Sequence, residues 1–234
     1  KQNAVVKGNA LFHVRRWSPE DPAFYSLVTE MVVDGQTVDT RRERFGFRVV
    51  TADKGRIFLN GAPVFLAGFN RPEDTPSRWS SNDPATLRAD LERIRRLGGN
   101  FIRLSDYPNH PMVLEMCDEI GLLVMQDLPV AAGADAIVNY VVNVGNHPSL
   151  VIWSLAGNLQ ANSEAGAKGI VELIDMVKQH DPSRLVTFVC GRWQNGSEDA
   201  RGFGAVDMIS LADYPEQPDV YWWIDGVRRL QSQY

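Results

Sequence analysis

The sequence predicts an α/β fold: a partial (β/α)8 TIM barrel with about six strands visible, preceded by part of an immunoglobulin-like β-sandwich. Three observations carry this prediction. From Gly55 onward, short apolar runs alternate with helical patterns, the signature of a parallel sheet buried on both faces. Each run exits into polar residues, so the carboxyl ends of the strands share one polar face. Upstream of Gly55 the chain shows period-2 alternation broken by turn signals, as antiparallel hairpins do.

Residues 1–50 come first. In FYSLVTEMVVDGQTVDT, Leu27, Thr29, Met31 and Val33 alternate with Val28, Glu30 and Val32 before an Asp34-Gly35 turn, which predicts a β-hairpin. An immunoglobulin-type sandwich needs about seven strands, and this segment has room for about four, so residues 1–50 form a partial sandwich domain. Residues 51–234 form the partial barrel.

The barrel runs are VFLAGFN (64–70), FIRLSD (101–106), LLVMQD (122–127), LVIWSLA (150–156), LVTFVC (185–190) and DMISLAD (207–213). One helix begins at Asp83, an N-cap followed by Pro84, and lines up Leu87, Leu91, Ile94 and Leu97 until Gly98-Gly99. PMVLEMCDEI stops at Gly121, AGAKGIVELIDMVKQH stops before Asp181-Pro182, and PDVYWWIDGVRRLQ reads as a sixth helix. The polar exits are Asn70-Arg71, Asp106-Tyr107, Asp127, Asn158, Arg192-Trp193 and Asp213-Tyr214. With no GxGxxG after the first strand, a barrel is preferred to an open doubly wound sheet. Six strands of eight leave unpaired edges, which predicts a homo-oligomer or a complementing domain.

Composition narrows the partners. The net charge of −5, with arginines only in short groups (Arg41, Arg42, Arg44; Arg93, Arg95, Arg96), argues against nucleic acid. No run approaches the roughly 20 apolar residues of a membrane span, so no membrane partner is expected. Cys117 and Cys190 sit in apolar runs outside any CxxC pair and read as small buried hydrophobes. His13, His110, His147 and His180 are scattered over separate elements, so neither a metal site nor a cofactor is expected.

Six phrases then carry a family likeness. WSPEDPAFYSL (17–27), RFGFRVV (44–50), IFLNGAPVFLAGFNRPED (57–74), NFIRLSDYPNHP (100–111), CDEIGLLVMQD (117–127) and NHPSLVIWSL (146–155) resemble, in order, the family 2 glycoside hydrolases of the β-galactosidase and β-glucuronidase group. The resemblance implies a sugar-binding β-sandwich, an immunoglobulin-like domain, and a catalytic barrel with glutamates at the ends of strands four and seven. On that reading Lys1 falls inside the second domain and Tyr234 before barrel strand seven, so the chain is expected to be an excised or truncated piece.

Retaining glycosidases need two carboxyl groups about 5 Å apart, one a nucleophile and one a proton donor. The family places the donor in a phrase like WSLANE or WSLGNE. Here Asn158 occupies the Glu position, with Gly157 before it; allowing one inserted residue, Leu159 does. An amide has no proton to give, and the loss of general acid catalysis is typically about 10²- to 10⁴-fold. Glu164 is either a displaced substitute or the exposed first-turn acid of the next helix.

Pro72 and Asp106 stand where members usually carry histidines, and Gln126-Asp127 where a carboxylate commonly follows strand three. No catalytic residue is therefore assigned, and no retaining hydrolysis by this chain is expected. The alternative to a fragment of a hydrolase is a non-catalytic carbohydrate-binding or scaffold pseudoenzyme.

The candidate sugar-binding residues are Arg103, Asp106, Asn158, Trp193 and Tyr214. Arg103 either holds a hydroxyl or pairs with Glu73 or Asp74. Asp106 either accepts from hydroxyls or caps its loop. Asn158 offers donor and acceptor at the mouth, and Trp193 and Tyr214 offer faces for sugar C–H groups. Trp153 reads as core, and Trp222 and Trp223 as packing within the last helix.

Overall fold

A strap over residues 13–24 leads into a hairpin of β1 (Tyr25–Val33) and β2 (Gln36–Phe45). The computed structural model describes residues 13–72, 83–105, 107–155, 163–190 and 203–211. Asp34 and Gly35 both take positive φ, 51° and 76°, between the paired Val33 and Gln36. This is the type I′ arrangement whose twist matches the strands it joins, so the hairpin stands where the sequence places it. The alternation does not bury one face, however: Leu27, Val28, Met31, Val32 and Val33 are all exposed.

Next comes a three-stranded antiparallel sheet absent from the sequence reading, built from β3 (Val50–Asp53), β4 (Arg56–Leu59) and β5 (Ala62–Val64). Its two-residue turns, Lys54-Gly55 and Asn60-Gly61, again carry positive φ at both positions. The predicted run 64–70 is thereby divided, since Val64 ends β5 and only Gly68–Asn70 joins the barrel, as β6.

The remaining barrel strands are β7 (Phe101–Leu104), β8 (Leu123–Leu128), β9 (Leu150–Leu155), β10 (Leu185–Cys190) and β11 (Ser210–Leu211). All pairs are parallel, and the order across the sheet is the chain order, β6 to β11. A doubly wound sheet reverses direction at a switch point. This one does not, so the barrel reading holds, as a partial barrel.

Among the described residues four helices cover the outside: α1 (Pro84–Arg96), α2 (Pro111–Ile120), α3 (Ala134–Val144) and α4 (Glu164–His180). Asp83 caps α1 through Thr86 N, and Gly121 closes α2 in the left-handed conformation. Leu97 departs from its expected place on the buried face: it lies past the last helical residue and is 69% exposed. The helix α3 departs from its local sequence, because the β-branched run AIVNYVVNV has strand propensity. Burial of Ile137, Val141 and Val144 at helical spacing settles the local conformation.

Two cores result. Between strands and helices lie Leu91, Ile102, Leu104, Leu114, Trp153, Ile174 and Phe188, together with Cys117, the buried hydrophobe expected. Inside the curve of the sheet, Trp17, Val50 and Leu59 pack against Leu123, Met125, Val151, Ile152 and Leu185. The small sheet and the strap therefore plug the amino-terminal end of the barrel strands.

Candidate functional site

Strand register places Met125, Ile152 and Leu185 in one row and Asp127, Ser154 and Thr187 in the row above, nearer the carboxyl ends. The lower row belongs to the plug core, which marks this face as the interior. The interior thus changes from apolar at the floor to polar at the mouth.

Arg103, on β7, reaches up to Asp127 in a two-point pair, with Nε donating to Oδ1 at 3.1 Å and Nη2 to Oδ2 at 2.6 Å. Asp127 is fully buried, and the Arg103 side chain keeps 17% exposure. The Thr187 hydroxyl donates to the Met208 carbonyl at 2.7 Å and lies 3.0 Å from the Ser210 hydroxyl. The Ser154 hydroxyl is buried with no hydrogen-bond partner among the described residues.

Outer-face residues brace this mouth. Gln126 donates through Nε2 to the carbonyls of Leu104 and Tyr107 at 3.3 and 3.1 Å, tying down the loop after β7. Arg71, expected at the mouth, instead turns outward, with Nη2 3.9 Å from Asp90 of α1. Trp153 is core, as its sequence context implies; its Nε1 donates to Asp181 at 2.8 Å and its ring meets Tyr140 edge-on.

Of the predicted binding residues, Arg103 is placed on the interior face. Its pair is with Asp127, which the sequence reading did not name for it. Asp106, Asn158, Trp193 and Tyr214 lie outside the described residues, as do Gly157, Leu159, Glu73 and Asp74. Glu164 is the first residue of α4, behind the Ser163 cap, the second of the two roles its sequence position allows. His110 caps α2 by accepting from Met112 N, whereas His147 pairs with Asp118 at 2.6 Å. Among the described residues no group of three or more His, Cys, Asp or Glu is arranged to hold a metal ion.

The opposite end of the strands carries an arginine network. Arg48 donates to the carbonyls of Pro148, Ser183 and Leu150, and Arg184 to those of Leu150, Gly145 and His147 as well as to Asp181. Burial, then the neighbouring Arg184 charge, pushes Arg48 down to about 9, against the pull of Asp181 and Asp118. Burial pushes the Asp181 carboxyl up, but Arg184 and the hydrogen bonds from Ser183, Trp153 and Arg184 outweigh it and hold the group below its ordinary value. The Cys117 thiol is driven up by burial and then by Asp118.

The sequence profile described as "Glycosyl hydrolases family 2, TIM barrel domain" matches residues 50–133 and 130–211, and that described as "Glycosyl hydrolases family 2" matches residues 2–48. The chain belongs to glycoside hydrolase family 2. This family 2 chain is 30% identical over 208 residues to a β-galactosidase of Pseudoalteromonas haloplanktis, covering 81% of the chain and 20% of that protein. A GH2 β-galacturonidase from Eisenbergiella tayi bound to galacturonate has TM-score 0.84 and 25% identity, over 94% of this chain and 42% of that one. Bacteroides uniformis β-glucuronidase 3 has TM-score 0.76 and 26% identity, over 93% of this chain and 30% of that one. The chain spans about a fifth of the length of the curated relatives it matches.

Proposed function

We propose that this family 2 chain forms the sugar-facing part of a β-glycosidase barrel, binding a β-linked glycoside at the mouth without turning it over. The polar row of Asp127, Ser154 and Thr187 above a plugged apolar floor supports the binding half of the reading. Hydroxyl and carboxylate groups converging at the carboxyl ends of parallel strands suit a polyhydroxylated ligand. The amide of Asn158 at the family's proton-donor position supports the second half, because acetal cleavage needs a proton delivered to the departing oxygen.

Two assays on the 234-residue chain test the reading. Saturation-transfer NMR with methyl β-D-galactopyranoside is expected to show binding, and absence of transfer overturns the binding half. Incubation with 4-nitrophenyl β-D-galactopyranoside and the corresponding β-D-glucuronide is expected to release no nitrophenol above background. Sustained release that tracks protein concentration overturns the second half.

A further inference from the structure

We propose that Gln126 is a positioning residue for sugar binding: by donating hydrogen bonds to the loop between β7 and α2, it sets Tyr107 in place at the mouth. The inference rests on the sugar-binding reading above and names a residue that acts on that site without touching the ligand.

Successive residues of a strand face opposite sides of the sheet. Asp127 therefore enters the interior row beside Ser154, and Gln126 turns to the outer face beside Trp153. There Gln126 is 0% exposed, and its Nε2 meets three carbonyl oxygens, of Leu104 at 3.3 Å, Tyr107 at 3.1 Å and Asp127 at 2.8 Å. Carbonyl oxygens only accept, so this position demands a donor. Asn109, 4% exposed, donates through Nδ2 to the same Tyr107 carbonyl at 3.0 Å. That carbonyl is thus gripped both from the neighbouring strand and from within its own loop, while Tyr107 itself stays 36% exposed. His110 closes the loop by capping α2.

The grip leaves two atoms unpaired. Gln126 Oε1 and Asn109 Oδ1 are buried with no hydrogen-bond partner among the described residues. Buried polar atoms are normally satisfied, and an apolar side chain of similar size would fill the space without stranding an acceptor. Two amides that each strand one oxygen to hold the same carbonyl indicate that the position of the loop matters beyond packing. Departures of this kind gather at functional sites. What the held backbone presents at the carboxyl ends of the strands is an aromatic ring, whose face suits the C–H groups of a sugar.

Two substitutions separate donation from packing. Gln126→Met keeps the bulk and removes the donor at every pH. Gln126→Glu keeps the length but sets a carboxylate against three carbonyl oxygens; burial and those oxygens raise its pKa above the usual value of about 4.3. Above that raised pKa the carboxylate repels the loop, and below it the protonated acid donates again. Binding by this variant should therefore be weak at high pH and recover as pH falls.

The test uses the full 234-residue chain, titrated with methyl β-D-galactopyranoside from pH 8 to pH 5 and followed by NMR, with exchange of the Tyr107, Asn109 and His110 amides read in parallel. Other ionisable groups on the adjoining elements, Arg103, Tyr107, His110, Asp118, Asp127 and Asp181, are present in the unaltered chain, whose own pH profile accounts for them. Gln126→Met is expected to weaken binding roughly tenfold at every pH and to speed exchange of the loop amides. Gln126→Glu is expected to match that loss at pH 8 and to regain most of it by pH 5. Tyr107→Ala should weaken binding to a similar extent. Unchanged binding by folded Gln126→Met or by Tyr107→Ala overturns the inference and leaves sugar binding standing. A loss in Gln126→Glu that does not depend on pH also overturns it, because packing rather than donation is then the cause. No binding by the unaltered chain overturns the sugar-binding reading and this role with it. Should Gln126→Glu fail to fold, Gln126→Met and Tyr107→Ala still decide.

Discussion

Replacing Arg184 with methionine should cost more stability than most single changes to this fold. The side chain is 3% exposed, and its donors reach Leu150 O at 2.7 Å, Gly145 O at 2.8 Å, His147 O at 2.7 Å and Asp181 Oδ2 at 2.5 Å. It thus ties the turn after α3, the start of β9 and the turn before β10 to one point. Methionine fills much of the volume but leaves the Asp181 carboxylate buried with only Trp153 and Ser183 as donors. Breaking a buried ion pair from one side costs about 3–5 kcal/mol, a large share of the roughly 5–15 kcal/mol that stabilises a domain. Urea unfolding followed by tryptophan fluorescence measures the loss, with Trp153 adjoining the site. Adding Asp181→Asn should return at least about 1 kcal/mol of it, because the stranded charge is gone. A single-variant loss under about 1 kcal/mol, or no recovery in the double variant, refutes the reasoning.

Gly121→Ala should lower the thermal midpoint: φ is +78°, and an added Cβ would lie 2.1 Å from the Pro19 carbonyl oxygen, so the strap has to move off α2. Acid should destabilise the fold through Asp181 and Glu119, the latter held low by hydrogen bonds from Arg44 and Arg88. Both carboxyls are lowered by folding, so their stabilisation is present above about pH 4, the unfolded value, and is lost as pH falls through their folded values. Urea midpoints from pH 6 to pH 3 should fall most steeply below about pH 4, and Asp181→Asn should flatten that fall. Among the described residues β6 and β11 each have one unpaired edge, which predicts self-association; a monomer in sizing and small-angle scattering across concentrations counts against it.

Much of this fold can be read from sequence because its boundaries are local. Asp83-Pro84, Gly121 and Asp34-Gly35 start, stop or reverse the chain with neighbouring atoms alone. The small sheet was equally local, announced by Lys54-Gly55 and Asn60-Gly61, but its strands are short enough to pass for a linker. The helix α3 was obscured for a different reason, since its burial, not its propensity, decides its form. At the site, Arg103 was visible as a charge in a strand, whereas its partner depends on the register between β7 and β8, which no local pattern fixes. Ser154 and Thr187 hid as small residues in apolar runs. Their signal was the period of two, with each standing two places beyond an interior apolar residue, Ile152 or Leu185.

The plug has a consequence for where this protein can be cut. Composition shifts near residue 50, yet Trp17 seals the interior and Arg48 holds the turns into β9 and β10 from upstream of that point. A barrel severed there would keep the small sheet but lose Trp17 from the plug and Arg48 from the turns, so water would reach the apolar floor from below. Amide hydrogen exchange would register the leak first along the amino-terminal halves of β8, β9 and β10, where the plug packs.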